Sequence, residues 1–353
     1  MDGETRKTAV QRRRDTAEDQ AYRLEASVSG EGLDTIASGS GHRETKAFSK
    51  ASVTPMASTY ALDTPATWAE AREQLSALAD LHYVFRGHRQ RSWRLQSTIQ
   101  RRQATVPCRL WDEGEVLDWF RRRALPSLPA GLPPGSNSSL MWLSLLQHYG
   151  GPTRLLDFSH SPYVAAFFAF EEADASDRAI WAVNSEHLRR HSETALQRDW
   201  KIDRAEANRL MCPPEDELLH SLIHNNRPDV GAVFQIEPYN YDLRQTAQQA
   251  VFLVSGSVFR STEELLAEVT ALDDYSTVRK LVFPSAMRDD ILADLQRMNI
   301  TPASLFPGLE GLARSCNLKL TPGSDPSTQR MDAAMAAYEV VKSEPWPIEE
   351  DAE

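Results

Sequence analysis

Apolar residues follow helical or strand spacing only in the middle of the chain, between about residues 67 and 318. Thr67 and Glu70 have the spacing of a capping box, which predicts a helix from Thr67 to about Asp80. Further helices are predicted at 112–125, 139–149, 162–172, 286–298 and 309–318, and short strands at 82–88, 154–157, 179–183, 232–236, 251–254 and 280–284. Since helices and strands alternate without a regular βαβ rhythm, we predict an α+β fold, a single mixed domain with short strands and peripheral helices.

The two ends of the chain differ from this middle part. Residues 1–60 hold mainly charged, Ser, Gly and Thr residues with few large apolar ones, and we expect a disordered arm there. Residues 321–353 finish in EPWPIEEDAE and are expected to form an acidic, largely flexible tail, with one short helix at 331–341. The folded domain is therefore predicted to span 67–318.

Charge and composition exclude several classes of protein. A net charge of -11 argues against nucleic acid or an anionic membrane as the main partner. The three cysteines are widely spaced and the histidines lack ligand spacing, so neither a disulfide framework nor a metal site is predicted. Because no apolar run reaches the roughly 18 residues of a membrane span, we expect a cytoplasmic protein.

The strand at 82–88 carries the first candidate site residue. Alternation places Arg86 on the more polar face, opposite Tyr83 and Phe85, and Gly87 beside it lets a ligand or another backbone approach closely. Arg86 is therefore a candidate fork for an anion or phosphate, and an ion pair with a carboxylate such as Asp157 is the equal alternative. Local basic groups such as Arg101-Arg102 are further phosphate candidates, and Trp93 either packs in the core or stacks on a base.

The segment LQHYGGPTRLLDFSHSPYVAAFFAF at 146–170 gathers polar residues where predicted elements end. Arg154 and Asp157 are three apart on a strand and face opposite sides, so each needs a different partner. For Asp157 the candidate donors are His148 and Arg86. Together with Arg154, these residues are candidate ligand-binding groups.

Serine hydroxyls follow at the junction between this strand and the next helix. Ser159 lies where the helix at 162–172 presents free N–H groups suited to a phosphate, and capping by Ser161 is expected in any case. Ser159, His148 and Asp157 also have the residue types of a hydrolase triad. The glycine-x-serine-x-glycine turn that such triads often use is absent, which disfavours that interpretation.

Gln248 and Gln249 form a third cluster, immediately before a fully apolar strand. Paired amides at a strand entrance either hold a ligand hydroxyl or brace the loop backbone. Both interpretations remain open at this point.

These clusters, in this order, resemble the FRG domain, a family named for its Phe-Arg-Gly motif. The motifs are VFRGH at 84–88 with SWRLQSTIQR at 92–101, LQHYGGPTRLLDFSHSPYVAAFFA at 146–169 and the glutamine pair with its apolar strand at 248–254. The family usually has glycine at the position of Ala250 and often tryptophan at that of Phe158. Its members occur in bacteria and some phages and are mostly described as of unknown function, so a bacterial protein is expected.

The layout is also similar, more distantly, to ADP-ribosyltransferases, which implies an ADP-ribosyltransferase-like fold and NAD as cofactor. By motif, Arg86 would hold the phosphates or ribose, Ser159 would position the nicotinamide half, and Gln249 or Gln248 would occupy the place of the catalytic glutamate. An amide binds the ribose hydroxyl but supplies no negative charge, and losing such electrostatic stabilisation costs about 10²–10³ in rate.

Two hypotheses follow. In the first, the domain binds NAD or a related nucleotide and cleaves it or transfers ADP-ribose, with Gln248 and Gln249 as catalytic candidates and Arg86, Gly87, His148, Arg154, Asp157 and Ser159 as ligand-binding candidates. In the second, the domain is a non-catalytic module that binds a nucleotide or a protein, and the arm or the tail recruits partners.

Overall fold

Seven strands form one mixed sheet in the computed structural model, which describes residues 60–105, 112–128, 138–213, 215–224, 229–238, 243–273 and 277–319. The strands are β1 Ala61–Asp63, β2 Tyr83–His88, β3 Leu155–Ser159, β4 Arg178–Asn184, β5 Val233–Ile236, β6 Ala250–Ser255 and β7 Val278–Phe283. Their order is β1-β7-β4-β2-β3-β6-β5, and every neighbouring pair is antiparallel except β1 with β7.

Thirteen α-helices surround this sheet within the described residues. They are α1 Trp68–Asp80, α2 Thr98–Thr105, α3 Glu113–Ala124, α4 Ser139–His148, α5 Pro162–Phe170, α6 Ser185–Trp200, α7 Arg204–Leu210, α8 Asp216–Ile223, α9 Leu243–Ala247, α10 Thr262–Asp273, α11 Arg288–Arg297, α12 Pro302–Leu305 and α13 Leu309–Lys319. Short 3₁₀ turns follow α3 and β7. The α+β prediction is therefore confirmed.

Helix ends agree with the sequence where a cap residue marks them. Thr67 accepts from the Glu70 backbone N–H at the start of α1, and Asp112 with Glu115 forms a complete capping box before α3. Ser161 caps α5 by accepting from the Val164 N–H. These local hydrogen bonds explain why the predicted starts are correct.

The sheet is covered differently on its two faces. On one face β2 packs through Tyr83 and Phe85 against α1, α5 and α11, whereas β3 packs through Leu155 against α3, α4 and α8. On the other face Val84 of β2 and Leu156 of β3 share one buried cluster with α10. The boundary between β2 and β3 is therefore also a boundary between two groups of helices on the first face.

Several predictions fall outside the described residues or missed an element. The predicted arm, except Tyr60, and the predicted tail with its helix at 331–341 lie outside the described residues. The elements that were not predicted are the strand β1 and the helices α2, α6, α7, α8, α9, α10 and α12. Among the described helices, none combines the length and apolar composition that crossing a membrane requires.

Candidate functional site

Strands β2 and β3 separate beside the Phe-Arg-Gly motif. They are paired at Phe85 and Ser159, after which β2 continues along β4 to His88 while β3 is paired with β6. The Arg86 guanidinium donates a hydrogen bond across this separation to the backbone carbonyl of Asp157, at 2.5 Å. Arg86 therefore links the two parts of the sheet where their backbones no longer pair.

The register of β2 decides which side chains share a face with Arg86. Directly opposite residues in a sheet point to the same side, so Ser159 shares a face with Phe85 and Arg86 points to the other face. By the same rule Trp181 of β4 and Lys280 of β7 stand in one row with Arg86. This row lies on the face that α10 covers.

The row is basic and aromatic. The Lys280 ammonium lies 4.4 Å from the Trp181 ring centroid, and the Trp181 indole N–H donates to His88 Nδ1 at 3.2 Å. Arg86 Nε lies 3.3 Å from His88 Nε2, and the Trp93 ring meets His88 edge-on with centroids 6.0 Å apart. Two cationic side chains therefore flank a buried histidine and tryptophan.

Burial and like charge act together on these groups. Burial is the largest cause that lowers the pKa of Arg86, and the nearby Arg101 charge lowers it further, while Asp157 opposes the shift. Burial holds the pKa of His88 well below its usual value, with added repulsion from Arg86, Lys280 and Arg101. His88 is therefore neutral at physiological pH. The positive charge of this part of the fold lies on Arg86, Lys280 and Arg101.

Arg86 forms no ion pair with any described residue, whereas most of the other arginines in the described part of the chain do. The charge of Arg101 in α2 repels the charge of Arg86. The Arg101 guanidinium donates a hydrogen bond to the Gln96 carbonyl. Two guanidinium groups close enough to repel each other favour an anion between or beside them. This part of the fold can therefore hold a phosphate or carboxylate.

Asp157 has a different partner from those predicted. Its exposed carboxylate accepts from the Gln147 side-chain amide at 2.7 Å, and only its backbone carbonyl accepts from Arg86. His148 is exposed and its ring lies edge-on to Tyr149, with centroids 5.0 Å apart. Gln147 was missed, although it stands beside His148 in the same motif.

The Ser159 hydroxyl is used within the fold. It donates to the Gln248 carbonyl at 2.7 Å and accepts from the Ser161 backbone N–H at 2.9 Å. The hydroxyl therefore braces the junction between β3 and α5, and it is not directed at His148 as a hydrolase triad requires.

The glutamine pair forms the turn between α9 and β6. The Gln248 amide donates to the Leu305 carbonyl at 3.0 Å, which is the loop-bracing role. Gln249 is exposed, has a φ of 47°, and its carbonyl accepts from the His160 N–H. Ala250, where the family usually has glycine, already lies in β6, so the left-handed position of this turn falls on Gln249.

Replacing Gln249 by glycine should stabilise the protein. A left-handed φ strains a residue with a Cβ and suits glycine, so we expect the free energy of unfolding to rise by about 0.5–1 kcal/mol. Urea unfolding measures the change. Gln248→Ala is the matched control and should lose about 1 kcal/mol with its bond to Leu305. A less stable Gln249→Gly variant would mean that the Gln249 side chain makes contacts which outweigh the strain.

Arg154 lies away from this group. It is 3 % exposed, pairs with the buried Glu113 and donates to the carbonyls of Ser255 and Leu222 at 3.1 and 3.0 Å. The side chain joins β3, α3, β6 and α8, so we leave it out of the candidate site.

Gly87 supports the site through packing. A Cβ at this position would lie 2.7 Å from the Ala169 backbone nitrogen and closer still to the Ala165 carbonyl oxygen, both in α5. Of the two alternatives raised by the sequence, a close approach by another backbone is the one observed.

The strands β2, β3 and β6 bring positions 86, 159 and 249 to neighbouring parts of the backbone, but the side chains of Arg86 and Ser159 leave on opposite faces. One cleft lined by both side chains is therefore not formed. The candidate site consists of Arg86 with Arg101, His88, Trp93 and Lys280, of which His88 and Lys280 were not predicted. The described residues contain no cluster of His, Cys, Asp and Glu suited to a metal ion.

Residues 81–178 match the family model described as the FRG domain. The match runs from just before β2 to the first residue of β4 and includes Arg86, Gly87, Asp157 and Ser159. No curated protein and no solved structure matches the chain. The predicted resemblance to the FRG domain is confirmed over this stretch, while the wider boundary of 67–318 stays a prediction.

Proposed function

We propose that this protein, which carries an FRG domain, binds a nucleotide through its phosphates at Arg86, with NAD as the first candidate. The observation that carries the proposal is the Arg86 guanidinium, which has no carboxylate partner among the described residues and is repelled by Arg101. An arginine fork matches the geometry of a phosphate and forms charge-assisted hydrogen bonds with it. The Asp157 charge compensates Arg86 in part, and a bound phosphate would add hydrogen bonds and further negative charge.

The aromatic neighbours favour a nucleotide over an inorganic anion. Trp93 is half-buried and lies beside His88, which itself contacts Arg86. The Arg89 guanidinium lies 5.3 Å from the Trp93 ring centroid, and a base or a nicotinamide would stack on the remaining surface of this ring, a contact that contributes about 1–3 kcal/mol per base. Phosphate binding and ring stacking are the two requirements of a nucleotide site.

We expect Arg86→Ala to weaken the binding of NAD, ADP-ribose and ADP by about 10- to 100-fold, because a hydrogen bond to a charged group contributes about 1.5–3 kcal/mol. Isothermal titration calorimetry at low salt measures this. Arg101→Ala should weaken binding less, since its side chain is exposed.

The controls separate a lost ligand contact from a lost fold. Arg86→Lys keeps the charge without the fork and should retain part of the affinity. Arg209→Ala removes an exposed arginine whose partners Glu206 and Glu217 are also accessible to solvent, and it should bind as the parent does. If all three nucleotides fail to bind the parent protein, or if Arg86→Ala binds them equally well, the proposal is wrong.

Cleavage of NAD, or transfer of its ADP-ribose, is a second candidate function. The observation that favours it is the Glu237 carboxylate, which lies 3.1 Å from His160, the residue whose N–H donates to Gln249. A carboxylate near this turn could supply the charge that Gln248 and Gln249 lack. Release of nicotinamide by the purified protein decides between a catalyst and a module that binds without chemistry.

A further inference from the structure

A cavity of about 200 Å³ lies beside β5, the strand at one end of the sheet. Its lining comes from β5, α6 and the residues around the start of α8, and it contains none of the residues of the Arg86 site. Two acidic side chains, Glu215 and Glu237, belong to this lining. The cavity is smaller than the roughly 300–1,000 Å³ of a typical ligand site, so it suits a small functional group better than a whole nucleotide.

Glu215 is the unusual member of the lining. It is 5 % exposed, it occupies the N-cap position of α8, and its side chain makes no capping hydrogen bond. Among the described residues, only its own backbone N–H interacts with the carboxyl group as a donor. A buried carboxyl group usually has several donors, so this one has fewer than is usual.

Gln235 and Glu237 add acceptors to the same cavity. The Gln235 amide donates to Glu237 at 3.0 Å, which leaves the Gln235 carbonyl oxygen buried without a donor in the described part of the chain. Glu237 is also in contact with His160. The cavity therefore has more acceptors than donors and excess negative charge.

We propose that this cavity binds the primary ammonium group of a small organic cation, with Glu215 as the main ligand and Gln235 and Glu237 as its companions. An ammonium group carries three donors and no acceptor, which matches what the cavity lacks. The described residues around it do not form a group suited to a metal ion. The chemistry fits a free amine or the side chain of a lysine.

The other charged groups around Glu215 agree with this assignment. Asp216 and Glu237 face it with negative charge. Arg189 also lines the cavity, but its side chain is exposed and its guanidinium donates to Asn208 of α7 at 2.9 Å. Among the described residues, no cation pairs with Glu215.

The affinity of this cavity for an amine should depend on pH, because Glu215 can be protonated. Burial, with repulsion from Glu237 and Asp216, raises the pKa of Glu215 to about 7. A bound ammonium group needs the ionised form, so the proton must leave when the amine binds. Affinity should therefore fall by about tenfold between pH 8 and pH 6.

The test uses the full chain and two probes, putrescine as a free amine and Nα-acetyl-lysine methylamide as a lysyl side chain, titrated by calorimetry at pH 8. We expect at least one probe to bind, and Glu215→Gln to weaken it by about tenfold or more. Glu217→Gln, on the same helix but not in the cavity lining, should bind as the parent does. Whichever probe binds more tightly identifies the source of the amine.

Three outcomes would overturn the proposal. They are no binding of either probe at pH 8, equal affinity of the parent and a folded Glu215→Gln variant, and displacement of the amine by an equal concentration of Mg²⁺. Circular dichroism checks that Glu215→Gln is folded. Because Arg86→Ala should leave amine binding unchanged, failure here is distinguishable from failure of the nucleotide proposal.

Discussion

Replacing Glu113 by alanine is expected to lower the free energy of unfolding by about 3–5 kcal/mol, the largest loss we predict for a single side chain. Glu113 is 4 % exposed, and its carboxylate binds both the backbone N–H and the side chain of Arg154. Without it, the buried Arg154 charge would keep only backbone carbonyls as acceptors. An uncompensated buried charge is far more costly than the pair itself is stabilising.

Thermal and urea unfolding of Glu113→Ala measure this loss, and the melting temperature should fall by roughly 10 °C. The matched control is Arg209→Ala, which breaks an exposed pair with Glu206 and Glu217 and should cost at most about 1 kcal/mol. The double variant Glu113→Leu with Arg154→Met should recover part of the loss, because an apolar pair needs no compensation. Equal effects of Glu113→Ala and Arg209→Ala would contradict the buried pair.

Gly87→Ala should be the second most damaging change, with a loss of about 3 kcal/mol, at the upper end of the usual cost of overpacking. The added Cβ would overlap the backbone of α5 at Ala165 and Ala169, and backbone atoms cannot rotate away as a side chain does. Either β2 or α5 must move, and Arg86, the neighbouring residue, would move with β2. We therefore expect nucleotide binding to weaken together with stability.

Urea unfolding compares Gly87→Ala with Gly150→Ala. Gly150 has a φ of 82° and open space where its Cβ would be, so alanine there costs only backbone strain of about 1–2 kcal/mol. A Gly87→Ala variant that is as stable as Gly150→Ala would show that α5 does not approach β2 as closely as described.

The sequence predicts those parts of the fold that depend on neighbours in the chain. The starts of α1, α3 and α5 are correct because each cap residue bonds a backbone N–H within one turn. The glycine that ends α4 is recognisable for the same reason, since Gly150 has a positive φ.

The candidate site is harder to predict because its geometry depends on strand pairing. The pairing of Phe85 with Ser159 places Arg86 and Ser159 on opposite faces, and no local pattern specifies that register. Arg154 has the charge and the position expected of a ligand-binding residue. Its actual partner Glu113 lies 41 residues earlier, so the sequence around Arg154 does not reveal the pair. Lys280 joins the site only because β7 lies beside β4.

The strands β2 and β3 are paired at a single position, so a ligand at Arg86 would bind where the sheet is most weakly joined. The strands β1, β7, β4 and β2 form one half of the sheet and β3, β6 and β5 the other, and Arg86 spans the junction through the Asp157 carbonyl. A phosphate that takes hydrogen bonds from Arg86 shares the guanidinium with that carbonyl, which accepts from Nη1 alone. Occupancy of the site and the link between the two halves of the sheet therefore use one guanidinium group, so a ligand that reorients Arg86 would also change the contact between the halves.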